Sequence, residues 1–427
     1  MTSPVASGTA LATSRETAGA ATRSSFSTFP RVPTPLAPQP LEPAPSPMPP
    51  ERRSSGSRRS GLVRRPHATE ASASEKRGAR KHTRRKPVAA ASTKRKTTTR
   101  PSAPRAASRA LDVPAQIDHI IRAGGDGTLI FGGRASLDVS SLDKLFFPKS
   151  GITKGDVMRY YARVAPPILP SLKDRPLILK RHPNGIAGPS FFQQNAGAHV
   201  PAAVRVADVE TENGERATRL IGGDLLTLLY TVQLGTIAVH PWQSRLPTIE
   251  YADYSTIDLD PGEGVAFSRI VELAKYIEED LIALRLHAAL KTSGSRGLHI
   301  VLPLPARTSY ARSASLAGAI AAHVVAEHPK LATLERRIDR RPKGTIYVDA
   351  QQNARGKSVA SAYSVREREG APVSAPLRWS ELTPALRISD FTIATMPRRI
   401  EQIGDVWGEA MKRRNASRDI SRILGEA

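Results

Sequence analysis

The block that most limits what this chain can fold into lies at residues 51–110, where 19 Lys and Arg stand against three Glu in runs such as "RRSSGSRRS", "RKHTRRK" and "KRKTTTR". Charge of one sign at that density repels itself and brings no apolar surface to bury. The 50 residues before it hold 11 of the 35 prolines, much Ser, Thr and Ala, and no helical or strand periodicity. Burial there cannot offset chain entropy. Residues 1–110 are therefore expected to be a disordered tail, Pro/Ser-rich and then Lys/Arg-rich. The tail carries +17 of the net charge of +24, which leaves +7 for residues 111–427. Two readings of the basic block stay open: a solvated, self-repelling segment, or a sequence-blind grip on phosphate backbones through counterion release.

The chain contains no cysteine, so a disulfide framework and a cysteine-built zinc or iron–sulfur site are excluded. The start "MTSPVASGTALATSRE" lacks the basic and apolar regions of a signal peptide, and no run approaches 18 apolar residues. A soluble, unexported protein with no membrane partner is expected.

From about residue 115 the composition is that of a globular domain, and roughly 300 residues can bury a sizeable core. "GTLIFGGRASLDV" predicts two short strands around a Gly-Gly turn. "TKGDVMRYYARVAPPILPSL" predicts a helix capped by Thr153 and stopped by its prolines. "RPLILKRHP" reads as a strand delivering Lys180 and Arg181. "GGDLLTLLYTVQLGTIAVHPW" reads as a helix, a break at Gly235 and a strand finishing at His240. "YSTIDLDP" is a strand by its β-branched content. "GVAFSRIVELAKYIEEDLIALRL" predicts the clearest helix, with Val265, Ile270, Leu273, Ile277, Leu281 and Leu284 in one stripe. "GLHIVLPL" and "GTIYVDA" are strands flanking a helix over roughly 312–328. Interleaved strands and helices imply an α/β or α+β domain around a mixed sheet.

Asp258 and Asp260, two apart on a strand, point to one face close enough to share a cation. Alone, the pattern is more often a strand-ending turn. "KTSGSRGLHIVLPL" adds a Ser/Gly-rich basic turn over Lys291 to Gly297, able to offer backbone N–H groups, Ser293 and Arg296 to a phosphate, with His299 on the next strand. An ordinary hairpin loop is the alternative. Asp349 ends a third apolar strand, and Gln352, Lys357 and Arg366 follow in a segment too poor in apolar residues to be mainly core. Three strand-end aspartates beside a phosphate-suited loop are what a two-metal phosphoryl-transfer site needs.

"SLDKLFFPKSGITKGDV", "LILKRHPNG", "FFQQNA", "HPW", "STIDLDP", "KTSGSRGLHIVLPL" and "IYVDAQQNARGKSVASAYSVR", in this order, resemble the polymerase module of bacterial DNA ligase D, of the archaeo-eukaryotic primase superfamily. The resemblance covers about residues 115–400, leaving 401–427 as a C-terminal helical extension. It implies an α+β primase-like core with mixed sheets. It implies that Asp258, Asp260 and Asp349 hold two divalent ions, Mn²⁺ or Mg²⁺. Lys180, Ser293, Arg296, His299, Gln352 and Arg366 would meet the triphosphate of an incoming NTP or dNTP. His240 would lie near its sugar, where a 2′-hydroxyl can be sensed. Lys144 and Lys154 would grip the 5′-phosphate across a gap or break, and Phe191 and Phe192 would stack on bases.

The implied activity is template-directed extension of 3′ ends at gapped or broken DNA in bacterial non-homologous end joining, with preference for ribonucleotides. Ku and a separate DNA ligase are the implied partners, and the implied location is the bacterial cytoplasm, at the nucleoid. No "KxDG" ligase motif and no pattern of the family's 3′-phosphoesterase module occurs, so a stand-alone polymerase is expected. A primer-independent primase and a non-catalytic DNA-end-binding protein are the rivals. Two positions depart from the family: Gln194 stands where Lys usually follows "FFQ", and Ser141 where Asn is usual. Both are expected to weaken DNA-end contacts and to leave the metal and triphosphate set intact.

Overall fold

The computed structural model describes residues 112–133, 135–210 and 214–426, so the expected tail of residues 1–110 lies outside them. The first half comprises α1 (Val113–Arg122), the hairpin β1 (Gly127–Ile130) and β2 (Ser136–Val139), β3 (Leu145–Phe147), β4 (Ile152–Thr153), α2 (Lys154–Arg163) and α3 (Ala165–Leu172). There follow β5 (Leu177–Arg181), β6 (Phe191–Gln193), the hairpin β7 (Val206–Glu210) and β8 (Arg216–Leu220), α4 (Leu225–Gln233) and β9 (Thr236–Pro241). The second half is built from β10 (Tyr254–Pro261), α5 (Phe267–Ala283), β11 (Ala289–Thr292), β12 (Leu298–Pro303), α6 (Tyr310–Glu327), β13 (Ala332–Thr333), β14 (Ile346–Asp349) and β15 (Pro376–Leu377). It ends with α7 (Met396–Ile403), α8 (Val406–Lys412) and α9 (Ser417–Leu424).

The β-branched run at 254–261 becomes an inner strand of a six-stranded sheet ordered β13-β14-β10-β12-β11-β15, antiparallel except for the parallel pair β13–β14. This is the mixed sheet expected of the α+β class. Ile257 and Leu259 are wholly buried, and α5 and α6 lie against the strand. Burying such a side chain contributes about 1.5–3 kcal/mol. The alternate residues Asp258 and Asp260 are thereby held on the opposite face. A second, antiparallel sheet is ordered β6-β5-β9 and carries Lys180, the two phenylalanines and His240.

Local signals behave as the residues dictate. Thr153 caps α2 in a full capping box with Asp156. Gly235, at φ +84°, separates α4 from β9. The buried stripe of α5 is Ile270, Leu273, Ile277 and Leu281, while Val265 and Leu284 fall just outside the helix.

Two expectations are corrected. The prolines after α2 do not end helical structure, because Pro166 and Pro167 open α3, where a missing N–H costs nothing and the fixed φ is already helical. The segment after Asp349 is core as much as site. Ala360, Ala362, Tyr363 and Val365 are buried, because the irregular backbone runs close to β9, where the Ser361 amide donates to Val239 O.

The helices of residues 401–427 are tied to the body of the fold. Asn415 Nδ2 donates to the His287 and Pro303 carbonyls, and Arg312 Nη2 bonds Ser421 Oγ at 2.7 Å. Among the described residues no helix is long and apolar enough to cross a membrane.

Candidate active site

Strand register assembles the site. Asp258 lies opposite Asp349 on one side and opposite His299 on the other, and His299 in turn lies opposite Lys291. Directly opposed residues face the same way, so Asp349, Asp258, His299 and Lys291 form a row across four strands. Asp260 sits one step along the same face. In this row Lys291 Nζ lies 2.6 Å from His299 Nδ1 and donates to Ser374 Oγ at 2.8 Å. With Nδ1 accepting, the imidazole hydrogen sits on Nε2, which faces Asp258 Oδ1 at 3.4 Å.

Electrostatics follow from burial and crowding. Burial, then the neighbouring charges of Asp349 and Asp260, raises the Asp258 carboxyl to about 7. Burial, then the Lys291 and Arg366 charges, holds His299 well below an ordinary imidazole. Burial, with Arg366 nearby, lowers Lys291 well below an ordinary lysine.

The remaining acidic groups have partners. Asp260 pairs with Arg341 at 3.1 Å and with Arg296 at 3.7 Å. Asp349 accepts from the Gln351 amide at 2.7 Å and from Gln352 Nε2 at 3.1 Å. Among the described residues no three acidic or histidine side chains already converge on one point. The donor chemistry nevertheless fits hard divalent cations, which take carboxylate oxygens. The like-charge crowding that lifts Asp258 is what such a cation would relieve.

Beside the carboxylates, the loop 293–297 is folded onto itself. Ser293 Oγ accepts from the Ser295 and Gly297 amides, at 3.1 and 3.0 Å, and Arg366 Nη1 donates to the Ser293 carbonyl. Two of its glycines are obligatory. A Cβ on Gly297 would stand 2.0 Å from the Leu259 carbonyl oxygen, and Gly294 has φ +68° with the Ser374 amide 2.8 Å from its Cβ position. Lys291 and Thr292, read as part of this turn, are buried residues of β11 instead.

Lys180 pairs with Glu367 at 2.5 Å, and Arg366 reaches the same carboxylate at 3.4 Å. His240 has an enclosed Nε2 with no hydrogen-bond partner among the described residues. Burial, then the Arg366 charge, pushes it down to about 3, so the imidazole is neutral.

Phe191 and Phe192 are exposed on β6, under the Arg181 and Lys180 side chains respectively, at 5.2 and 5.8 Å from cation to ring centroid. Lys144 and Lys154 stand apart from the carboxylate row, next to each other beside the β3–β4 pair. Lys144 Nζ bonds Asn184 Oδ1 at 2.7 Å. Lys154, only 6% exposed, bonds the Ser140 carbonyl and Gln233 Oε1, each at 2.8 Å. Burial, then Lys144, lowers it to about 8.

Sequence reasoning missed three contributors. Lys291 was hidden by its Ser/Gly-rich neighbours, although a lysine inside "AALKT" is the signal of a buried charge. Arg341 is one of five cations in "ERRIDRRPKG", and Glu367 sits in the alternating "REREG". Neither run distinguishes the residue that folds inward.

The family profile described as LigD, primase-polymerase domain, matches residues 153–407. The multifunctional non-homologous end joining protein LigD of Pseudomonas aeruginosa is 31% identical over 295 residues, 68% of this chain and 35% of its own length. The bifunctional non-homologous end joining protein LigD of Bacillus subtilis is 32% identical over 274 residues, 63% of this chain and 43% of its own. The chain thus spans well under half the length of these curated relatives. The polymerase domain of Mycobacterium tuberculosis ligase D, solved in complex with DNA, is 31% identical with a TM-score of 0.61 and covers 65% of this chain and 99% of that one.

Proposed function

Because the chain belongs to the LigD primase-polymerase domain family, we propose that it is a template-directed nucleotidyltransferase that extends 3′-hydroxyls at gapped or broken duplex ends. It prefers ribonucleotides, and it serves bacterial non-homologous end joining with Ku and a separate ligase, at the nucleoid. The observation that carries the reading is the register that sets Asp349 beside Asp258 and Asp260 next to a loop held by Arg366.

Two divalent ions, Mn²⁺ or Mg²⁺, held by Asp258, Asp260 and Asp349, would acidify the 3′-hydroxyl and hold the triphosphate. The residues around them have separable tasks. Arg366, Arg296, Lys180, Ser293 and Gln352 take the phosphates, with guanidinium forks suited to their oxygens. His299, oriented by Lys291, steers the same end of the nucleotide. His240, neutral at working pH, offers a single ring nitrogen to a ribose 2′-hydroxyl, as donor or acceptor according to its tautomer. Phe191 and Phe192 stack on template bases, and Lys144 and Lys154 bind the downstream 5′-phosphate.

The test is extension of a primer on a gapped duplex with a 5′-phosphate, with Mn²⁺ and either NTPs or dNTPs, by the full chain and by Asp258→Ala. Incorporation that favours NTPs and is lost in the variant is the expected result. Products from single-stranded template without primer would point to a primase, and no incorporation with any metal would leave a DNA-end-binding protein.

A further inference from the structure

Four Lys or Arg residues are buried among the described residues: Lys154, Arg175, Arg219 and Lys291. A buried cation is costly unless paired and hydrogen-bonded, so each needs an account. Arg175 has one: it donates to Asp253 Oδ2 at 2.6 Å and to the Ser171, Trp242 and Gln243 carbonyls. Lys291 has His299 and Ser374. Lys154 belongs to the phosphate grip proposed above.

Arg219, on β8 and 4% exposed, has little. Its Nη1 donates to Gln194 Oε1 at 2.8 Å, its Nε is enclosed with no acceptor, and no carboxylate pairs with it among the described residues. Nη2, which is not enclosed, makes no hydrogen bond among the described residues. The guanidinium lies 5.6 Å from the Trp242 ring centroid, an attraction that softens the charge without neutralising it.

Its position suggests what completes it. Gln194 follows β6 directly, two residues beyond Phe192, which is 62% exposed. In an extended chain that spacing puts both side chains on one face about 7 Å apart. The Ala196 amide donates to the Thr218 carbonyl at 2.7 Å, which ties this segment to β8 and holds Arg219 against it. An aromatic ring open to solvent with an uncompensated cation one step along is the combination that binds single-stranded nucleic acid, the ring under a base and the cation on the phosphate.

We propose that Arg219 binds a backbone phosphate of the strand that stacks on Phe192, with Gln194 orienting its guanidinium. The inference rests on the polymerase reading. It also accounts for Gln194, which departs from the expected lysine: the charge arrives from the neighbouring hairpin rather than from the strand itself.

The test measures binding of the full chain to a primer–template with a single-stranded overhang across a salt series, for the wild type, Arg219→Met, and Arg219→Met with Gln194→Lys. Arg219→Met should weaken binding about tenfold. It should also flatten the salt slope by about 0.7, the loss of one phosphate contact on a single strand. Its melting temperature should hold or rise, since an unpaired charge leaves the interior. Adding Gln194→Lys should restore the slope. Unchanged slope and affinity in Arg219→Met, whether or not its melting temperature falls, overturns the proposal and leaves Arg219 a structural cation. An Arg219→Met chain that does not fold passes the decision to the double variant, where a wild-type fold with a slope still reduced also overturns it. A wild type that shows no salt-dependent binding would instead sink the polymerase reading.

Discussion

Lys154 ties fold stability and substrate grip to one titration with opposite signs. An ordinary lysine titrates near 10.5 and this one near 8. The difference corresponds to at most about 3 kcal/mol. Because the folded value is the lower, the charged ammonium opposes folding. The penalty is full below pH 8 and fades as pH rises to 10.5. A 5′-phosphate, however, needs the ammonium. With a value of 8 the charged fraction drops about tenfold between pH 7 and pH 9. Preference for a gap bearing a 5′-phosphate over one bearing a 5′-hydroxyl should fall about tenfold across that interval, while resistance to urea rises. Lys154→Met should reduce the preference to what Lys144 supplies, remove its fall between pH 7 and pH 9, and leave stability equal to or above that of the wild type. The check is paired binding titrations on the two gaps, with urea melts at the same pH values. A wild-type preference that stays flat to pH 9, or one that is undiminished in Lys154→Met, would refute the reasoning.

Three further outcomes follow from named contacts. Arg341→Leu removes the 3.1 Å counter-charge from Asp260, so the Mn²⁺ concentration giving half-maximal incorporation should fall severalfold; a rise would show that the arginine assists the metal. Gly297→Ala forces a Cβ to 2.0 Å from the Leu259 carbonyl, and the expected loss of at least about 2 kcal/mol is measured by chemical denaturation. Ser141 has φ +54°, a region where Asn is enriched. Ser141→Asn should therefore stabilise the protein by a few tenths of a kcal/mol without changing DNA affinity, readable as a rise in melting temperature.

That last case adds a conformational meaning to a sequence departure. Ser141, expected to weaken DNA-end contacts, has a left-handed backbone, a conformation that also favours the Asn usual in the family. Gln194 points the other way, since its neighbour Arg219 comes from a hairpin 25 residues on and no local pattern could link the two.

What the sequence determined by itself was local and periodic. The alternation in "YSTIDLDP" put Asp258 and Asp260 on one face, the Thr153 cap started α2, and the stripe of α5 marked its buried side, because those signals depend on neighbours a few residues apart. The ordered motifs were enough to recognise the family. Tertiary structure alone decided which charges meet. The register of β14, β10, β12 and β11 lined up Asp349, Asp258, His299 and Lys291, Arg341 turned in to Asp260, and Arg219 was buried with no acid beside it among the described residues. Burial then shifted the titration of Asp258, His299 and Lys291, since a charge's cost depends on the solvent and partners around it in the folded state, and these come from distant parts of the chain.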